Sequence, residues 1–316
     1  MQKTPKYSLM LILALSVSTL TTGANWHPWA VQASTFSQSS LSITAPPPYS
    51  VYLPAVFQPA CTSDRLIAFT STELPQLEIS LMCSDGSGRR RVTYTPGFES
   101  TDPTWSPDKT RFAFMSTIAG IRGIYIYDLS CDCVTGKIPV DLDAHEPSWS
   151  PDGQRMAFDG PNGIYVVNID GSDLIHVTDD GGDPSWSPDG TRIVYSGASG
   201  ISILGIDGTG FTQLSTTSGS DWSPAWSPDG TRIAFASDQG FTVNLYVINV
   251  DGTGLLQLTD DTRLANYFPS WSPDGKQIAF QAYDTSTRLS EIYIVNADGT
   301  GLKLLASQAG EPAWTR

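Results

Sequence analysis

Five copies of Trp-Ser-Pro-Asp, beginning at Trp105, Trp149, Trp186, Trp226 and Trp271, constrain the fold more than any other feature of the chain. Gly follows in four of them and Lys109 in the first, and a truncated sixth copy stands at Glu311-Pro312-Ala313-Trp314. The tryptophans are 44, 37, 40, 45 and 43 residues apart, which is the length of a four-stranded sheet unit rather than of a helical or leucine-rich repeat. The period predicts a β-propeller.

Each part of the unit has its own physical task. In Ser-Pro-Asp-Gly, proline presets φ at the second position of a type I turn, Asp tolerates the third and Gly is favoured at the fourth, so a strand reverses there. The run that follows is apolar, as in Leu66-Ile67-Ala68-Phe69, with counterparts ending at Phe114, Phe158, Tyr195, Phe235 and Phe280. These predict six buried strands. A third strand, such as Leu245-Tyr246-Val247-Ile248, leads to an Asp-Gly hairpin at Asp85, Asp170, Asp207, Asp251 and Asp298, and a short outer strand such as Leu256-Gln257-Leu258-Thr259 completes the unit. The first unit has no Trp strand before it and the last Trp strand has no unit after it. The strand around Trp314 is therefore expected to enter the first blade as its innermost strand. The fold class is all-β, a six-bladed β-propeller closed by the C-terminal strand.

Composition agrees. The chain has 316 residues, 40% apolar and 16% charged, with 28 Gly and 22 Pro, which excludes a disordered chain, a coiled coil and a collagen. Its formal charge of -14 disfavours contact with a nucleic-acid backbone. Lys3 and Lys6 precede an apolar stretch from Leu9 to Leu20 that is short for a membrane span, so residues 1–33 read as an export signal, cleaved after Ala24 or Ala33. Residues 34–60, rich in Ser, Thr and Pro, show no helical or strand period and read as a tether before the propeller at 61–316. The expected location is periplasmic or extracellular, with envelope association open.

The same residues carry a family resemblance. Trp-Ser-Pro-Asp-Gly, Ile-Ala-Phe, Ile-Tyr-Val-x-Asn and Asp-Gly-Thr-Gly resemble the TolB-type, WD-like propeller repeat over nearly all of 61–316. Such repeats occur in envelope scaffolds, in peptidase accessory domains and in secreted proteins, so the resemblance implies a fold more than a task. TolB itself carries a separate α/β domain before its propeller, where this sequence has the tether. The resemblance therefore implies a TolB-like propeller protein rather than TolB's part in the Tol-Pal envelope system.

With the Trp strands beside the channel, the Ser-Pro-Asp-Gly turns and Asp-Gly hairpins fall on the bottom, and the more variable loops fall on top. The top is then the favoured binding face. Three residues before each Trp stand Asp102, Glu146, Asp183, Ser223, Phe268 and Glu311, four of them acidic. As a site, this ring would hold a metal ion or the cationic group of an inserted peptide. As structure, each carboxylate would accept backbone N–H groups of the neighbouring blade, the reading a repeated position favours. Asp221, Trp222, Tyr267 and Phe268 form an aromatic sector suited to protein or glycan contact, or to packing between blades.

Four Cys in an exported chain point to disulfides, with Cys61–Cys83 preferred and Cys131 and Cys133 either paired or reduced; a zinc site is the minor alternative. No catalytic residue, cofactor or metal ion is assigned. Asp251-Gly252-Thr253-Gly254 and its copies lack the ligands of an EF-hand loop. No Gly-x-Ser-x-Gly elbow follows the propeller, and His145 beside Glu146 and Asp143 is the one acid–base grouping of note. The expectation is a monomeric, non-catalytic scaffold that binds an envelope or extracellular protein, or a cationic peptide segment. The alternative is a glycan-binding or glycan-active propeller, a hydrolase or lyase working through top-face carboxylates and aromatics.

Overall fold

The computed structural model describes residues 42–44, 50–52 and 61–315, apart from 62–64, 74–75, 119, 216–218 and 240–241. Residues 1–33, expected to be an export signal, lie outside the described residues, as does most of the expected tether at 34–60. Within residues 34–60, Ser42–Thr44 and Ser50–Tyr52 pair antiparallel where the sequence shows no strand period. This pair belongs to a unit separate from the one that begins at Gln58.

The second unit is a ring of six antiparallel four-stranded sheets. The first blade consists of Ala309–Trp314, Leu66–Ser71, Glu78–Cys83 and Arg90–Arg91, so the C-terminal strand does complete it, with Trp314 opposite Ile67. The second runs from Ser100–Trp105 to Cys133–Lys137, the third from His145–Trp149 to Ile175–Thr178, and the fourth from Gly182–Trp186 to Thr212–Gln213. The fifth runs from Asp221–Trp226 to Leu256–Gln257 and the sixth from Leu264–Trp271 to Lys303–Ser307.

The core lies between blades rather than within one. Val194, Ile201 and Ile203 of the fourth blade pack with Trp226, Phe235 and Tyr246 of the fifth. Ile67, Phe69 and Met82 of the first pack with Ile292 and Ile294 of the sixth around Trp314. A polar coupling runs beside this apolar one. The Arg that follows each turn lays its guanidinium over the Trp of the next blade: Arg111 on Trp149, Arg155 on Trp186, Arg192 on Trp226 and Arg232 on Trp271, at 4.8 to 5.4 Å from the ring centre. At half-buried sites such stacks contribute about 0.5–2 kcal/mol each. In the sixth blade Gln277 occupies the Arg position.

The turns work as their chemistry predicts. In the second blade, Ser106 O accepts from Lys109 N, Ser106 Oγ donates to Asp108 Oδ1, and that oxygen accepts from Thr110 N. The fourth turn residue sits in the left-handed region throughout, at φ 67–72 for Gly153, Gly190, Gly230 and Gly275 and at φ 60 for Lys109. A side chain there costs about 1–2 kcal/mol, offset in part by the chain entropy that a Gly loses on folding. Lys109→Gly is expected to stabilise the domain by about 1 kcal/mol, read as a higher urea midpoint at unchanged slope. An unchanged or lower midpoint would mean that the Lys109 side chain compensates for its backbone.

Candidate functional site

The six positions three residues before the tryptophans are each followed by proline, and that pairing builds the channel mouth. Proline cannot donate to a sheet ladder, so strands accept it at bulges. At each of these places two residues of the innermost strand oppose one of the second, as Glu146 and Pro147 oppose Phe158 between the pairs His145–Asp159 and Ser148–Ala157. The residue before proline then takes a left-handed conformation, with φ between 49 and 54 at Asp102, Glu146, Asp183, Ser223, Phe268 and Glu311. Six non-glycine residues in that conformation, one per blade, aim their side chains into a central channel of about 350 Å³.

The bulge removes the N–H of the same residue from the ladder, and at five of the six places a neighbouring side chain takes it up. Glu311 Oε2 accepts from Asp102 N at 3.0 Å, Glu146 Oε2 from Asp183 N at 3.0 Å, and Asp183 Oδ2 from Ser223 N at 2.9 Å. The Asp102 carboxylate accepts from Glu146 N. Phe268 has no acceptor to offer the next blade, and there Gln281 Oε1 accepts from Glu311 N at 3.1 Å. The carboxylates thus join blade to blade around the mouth. A carboxylate has about four acceptor sites, and Glu311 also accepts from Thr70 and Asp183 from Ser196.

Ring order places Glu311, Asp102, Glu146 and Asp183 on four consecutive blades. Burial and the neighbouring Glu311 charge push the Asp102 carboxyl well above the usual carboxylate range. Burial, then the charges of Asp183 and Asp102, push Glu146 up to about 10. Burial also raises Glu311. The remaining arc is formed by Ser223 and Phe268, with Trp222 and Tyr267 immediately outside the channel lining. Trp222 and Tyr267 meet edge to face at 6.1 Å, and Tyr267 lies 6.2 Å from Phe268. All three rings are half-buried, and Trp222 and Tyr267 pack on the core shared by the fifth and sixth blades. Asp221 does not join them at the mouth: it is buried and accepts from Ser215 Oγ.

His145 stands beside Glu146, with Asp159 rather than Asp143 as its second carboxylate. Asp143 pairs instead with Arg122 at 3.7 Å. Asp159 escaped sequence reading because it ends an apolar strand and belongs to no motif; its signal was that it stands opposite the residue before the bulge. The stacking arginines were also missed, although Arg recurs two residues after the turn glycine. The four cysteines form Cys61–Cys83 and Cys131–Cys133, which leaves no thiolate for a zinc site.

A family model described as the TolB beta propeller domain matches residues 140–315, more than half of the chain. The chain belongs to that family. Among solved structures, TolB from Acinetobacter baumannii matches this TolB-type propeller at 24% identity and a TM-score of 0.68, over 79% of this chain and 66% of that one. This chain therefore spans just under two thirds of the Acinetobacter protein. A putative TolB from Agrobacterium tumefaciens matches at 24% identity and a TM-score of 0.62, over 77% and 89%. An oligogalacturonate lyase in complex with manganese matches at 13% identity and a TM-score of 0.56, over 77% and 74%. At these identities the likeness is one of fold. No curated protein matches the chain.

Proposed function

We propose that this TolB-type propeller is an exported, monomeric and non-catalytic scaffold whose top channel mouth receives a cationic segment of an envelope or extracellular protein. The export signal at 1–33 delivers it, the tether at 34–60 spaces it and the propeller at 61–316 does the binding. One observation carries the reading: the mouth is divided into an arc of four consecutive carboxylates and an opposing arc of Ser223, Phe268 and the flanking aromatics. Lys or Arg side chains answer the first arc with charge-assisted hydrogen bonds, and apolar neighbours in the same segment cover the second. Nothing in this reading requires a cofactor.

The test compares the parent with Asp102→Asn, Glu146→Gln, Asp183→Asn and Glu311→Gln combined, each amide keeping an oxygen for its blade-to-blade bond. After cooperative melting of the variant is established, both are used to capture partners from native envelope and culture medium. A partner retained by the parent and lost by the folded variant is the expected result. The same partners on both, or none on either, would reduce the arc to blade joining.

The aromatic arc favours a second reading, a neutral glycan resting on Trp222 and Tyr267. Galacturonate oligomers, the ligand class in the name of the lyase of similar fold, carry carboxylates that the acidic arc would repel. A rise in melting temperature with a neutral oligosaccharide, abolished by Trp222→Ala, would favour the glycan.

A further inference from the structure

The top of the third blade departs from the repeat in a way that blade joining does not explain. In every blade the residue before the bulge faces the second strand directly, and in five of them the pair is Thr101–Met115, Gly182–Ser196, Trp222–Ala236, Tyr267–Gln281 or Gly310–Thr70. In the third blade it is His145–Asp159, and the bulge aims the Glu146 carboxylate at the same point. His145 Nδ1 lies 3.8 Å from Asp159 Oδ2 and 3.9 Å from Glu146 Oε2. One ligand atom from each residue falls within 4.8 Å of the other two.

These separations are too long for hydrogen bonds. The two His145 distances are a few tenths of an ångström wider than the roughly 3.0–3.6 Å between neighbouring ligands of an ion bound at about 2.0–2.2 Å, and the two carboxylates would have to close in from within 4.8 Å of one another. Glycine at 182 of the next blade is what lets the two carboxylates stand here: a Cβ there would come within 2.5 Å of Asp159 Oδ2 and 3.7 Å of Glu146 Oε2. The Glu146 oxygen is oriented by Asp183 N, the kind of outer contact that fixes a metal ligand. All three side chains remain solvent-accessible, at 25%, 30% and 18%, so an ion has a way in.

We infer that His145, Glu146 and Asp159 form a binding site for a divalent transition-metal ion, with water in its remaining coordination positions. One imidazole with two carboxylates suits Zn²⁺ or Mn²⁺, whereas the imidazole is a poor partner for Ca²⁺ or Mg²⁺. The inference goes beyond the partner-binding reading, and its decisive substitutions fall on His145 and Asp159, outside the acidic arc.

The purified full-length chain is titrated calorimetrically with Zn²⁺ beside His145→Ala, Asp159→Asn and, as a control, His176→Ala. His176 faces a single carboxylate, Asp179, at 3.6 Å. The expected result is one equivalent bound by the parent and by His176→Ala, and affinity at least about tenfold weaker in the other two, with melting curves showing all four folded. Absence of stoichiometric binding by the parent, or equal affinity in His145→Ala, overturns the inference. So does Ca²⁺ binding at the same strength as Zn²⁺.

Discussion

A chain ending at Gln308 is expected not to fold. Removing residues 309–316 takes the innermost strand from the first blade, and with it Ala309 and Trp314, which are 0% and 5% exposed between the first and sixth blades. Burying a Trp contributes several kcal/mol, and truncating one to Ala costs about 3–5 kcal/mol. The strand also supplies the backbone partners of Ile67 to Ser71, the acceptor for Asp102 N on Glu311, and the Ala313 carbonyl that receives Trp105 Nε1. Together these rival the roughly 5–15 kcal/mol by which a domain is stable. Near-ultraviolet circular dichroism and limited proteolysis check it: loss of aromatic signal and rapid digestion are expected. Trp314→Ala serves as the milder companion, lowering stability by about 3–5 kcal/mol with the fold retained. A truncated chain that melts cooperatively at the parent temperature would show the ring to be closed by something other than this strand.

Stability should be greatest near pH 4–5 rather than at neutrality, because two sets of carboxyls bound it from either side. Asp102, Glu146 and Glu311 have folded pKa values above their unfolded ones, with Glu146 at about 10 against 4.5. Their stabilising contribution is complete below the unfolded pKa and is lost as pH rises through the folded one. The turn carboxyls behave oppositely. Hydrogen bonds from Ser187 and Thr191 lower Asp189 to about 2, and those from Thr253 lower Asp251. Their contribution is present above the unfolded pKa of 3.8 and is lost as pH falls below it. At pH 8 Glu146→Gln removes the cost of taking up a proton on folding, since the carboxyl is ionised in the unfolded chain and protonated in the folded one, and it keeps an acceptor for Asp183 N. It is expected to stabilise by about 1 kcal/mol or more, roughly 2–4 °C in melting temperature, and to flatten the decline between pH 5 and 9. A parent maximum at pH 7–8, unaffected by the substitution, would mean that the mouth is ionised without cost. Capture of a cationic partner should follow the reverse order and tighten as the arc ionises.

The fold was legible because its information is local. Ser-Pro-Asp-Gly specifies a turn through the φ of proline and the tolerance of glycine, and the repetition of that turn counts the blades. The unmatched strand at Trp314 then implies closure. The mouth was legible only as a position, three residues before each Trp. That Glu311 adjoins Asp102, making four carboxylates consecutive, follows once the ring is closed. The left-handed backbone at those residues and the substitution of Gln281 for an absent acceptor depend on bulges, which one strand read alone does not reveal. Asp159 and the Arg–Trp stacks were hidden for a related reason, since each is a contact between segments with no shared motif. Asp221 looked like part of the aromatic sector by proximity in sequence, yet its side chain is buried on Ser215.

Closure by the last strand also orders events in time. Glu311 reaches Thr70 across 241 residues, a stretch that takes about 12–50 s to synthesise at 5–20 residues per second. Through that interval the first blade presents an unpaired inner edge and no ring can form, whatever the later blades have done. A chain sent through an export channel from its N-terminus would thus stay threadable until the strand ending at Trp314 emerged, and commitment to the native state would wait for that strand. Position along the polypeptide then acts as a clock, which a circular permutant opened between the fourth and fifth blades would set differently while keeping every contact of the mature protein.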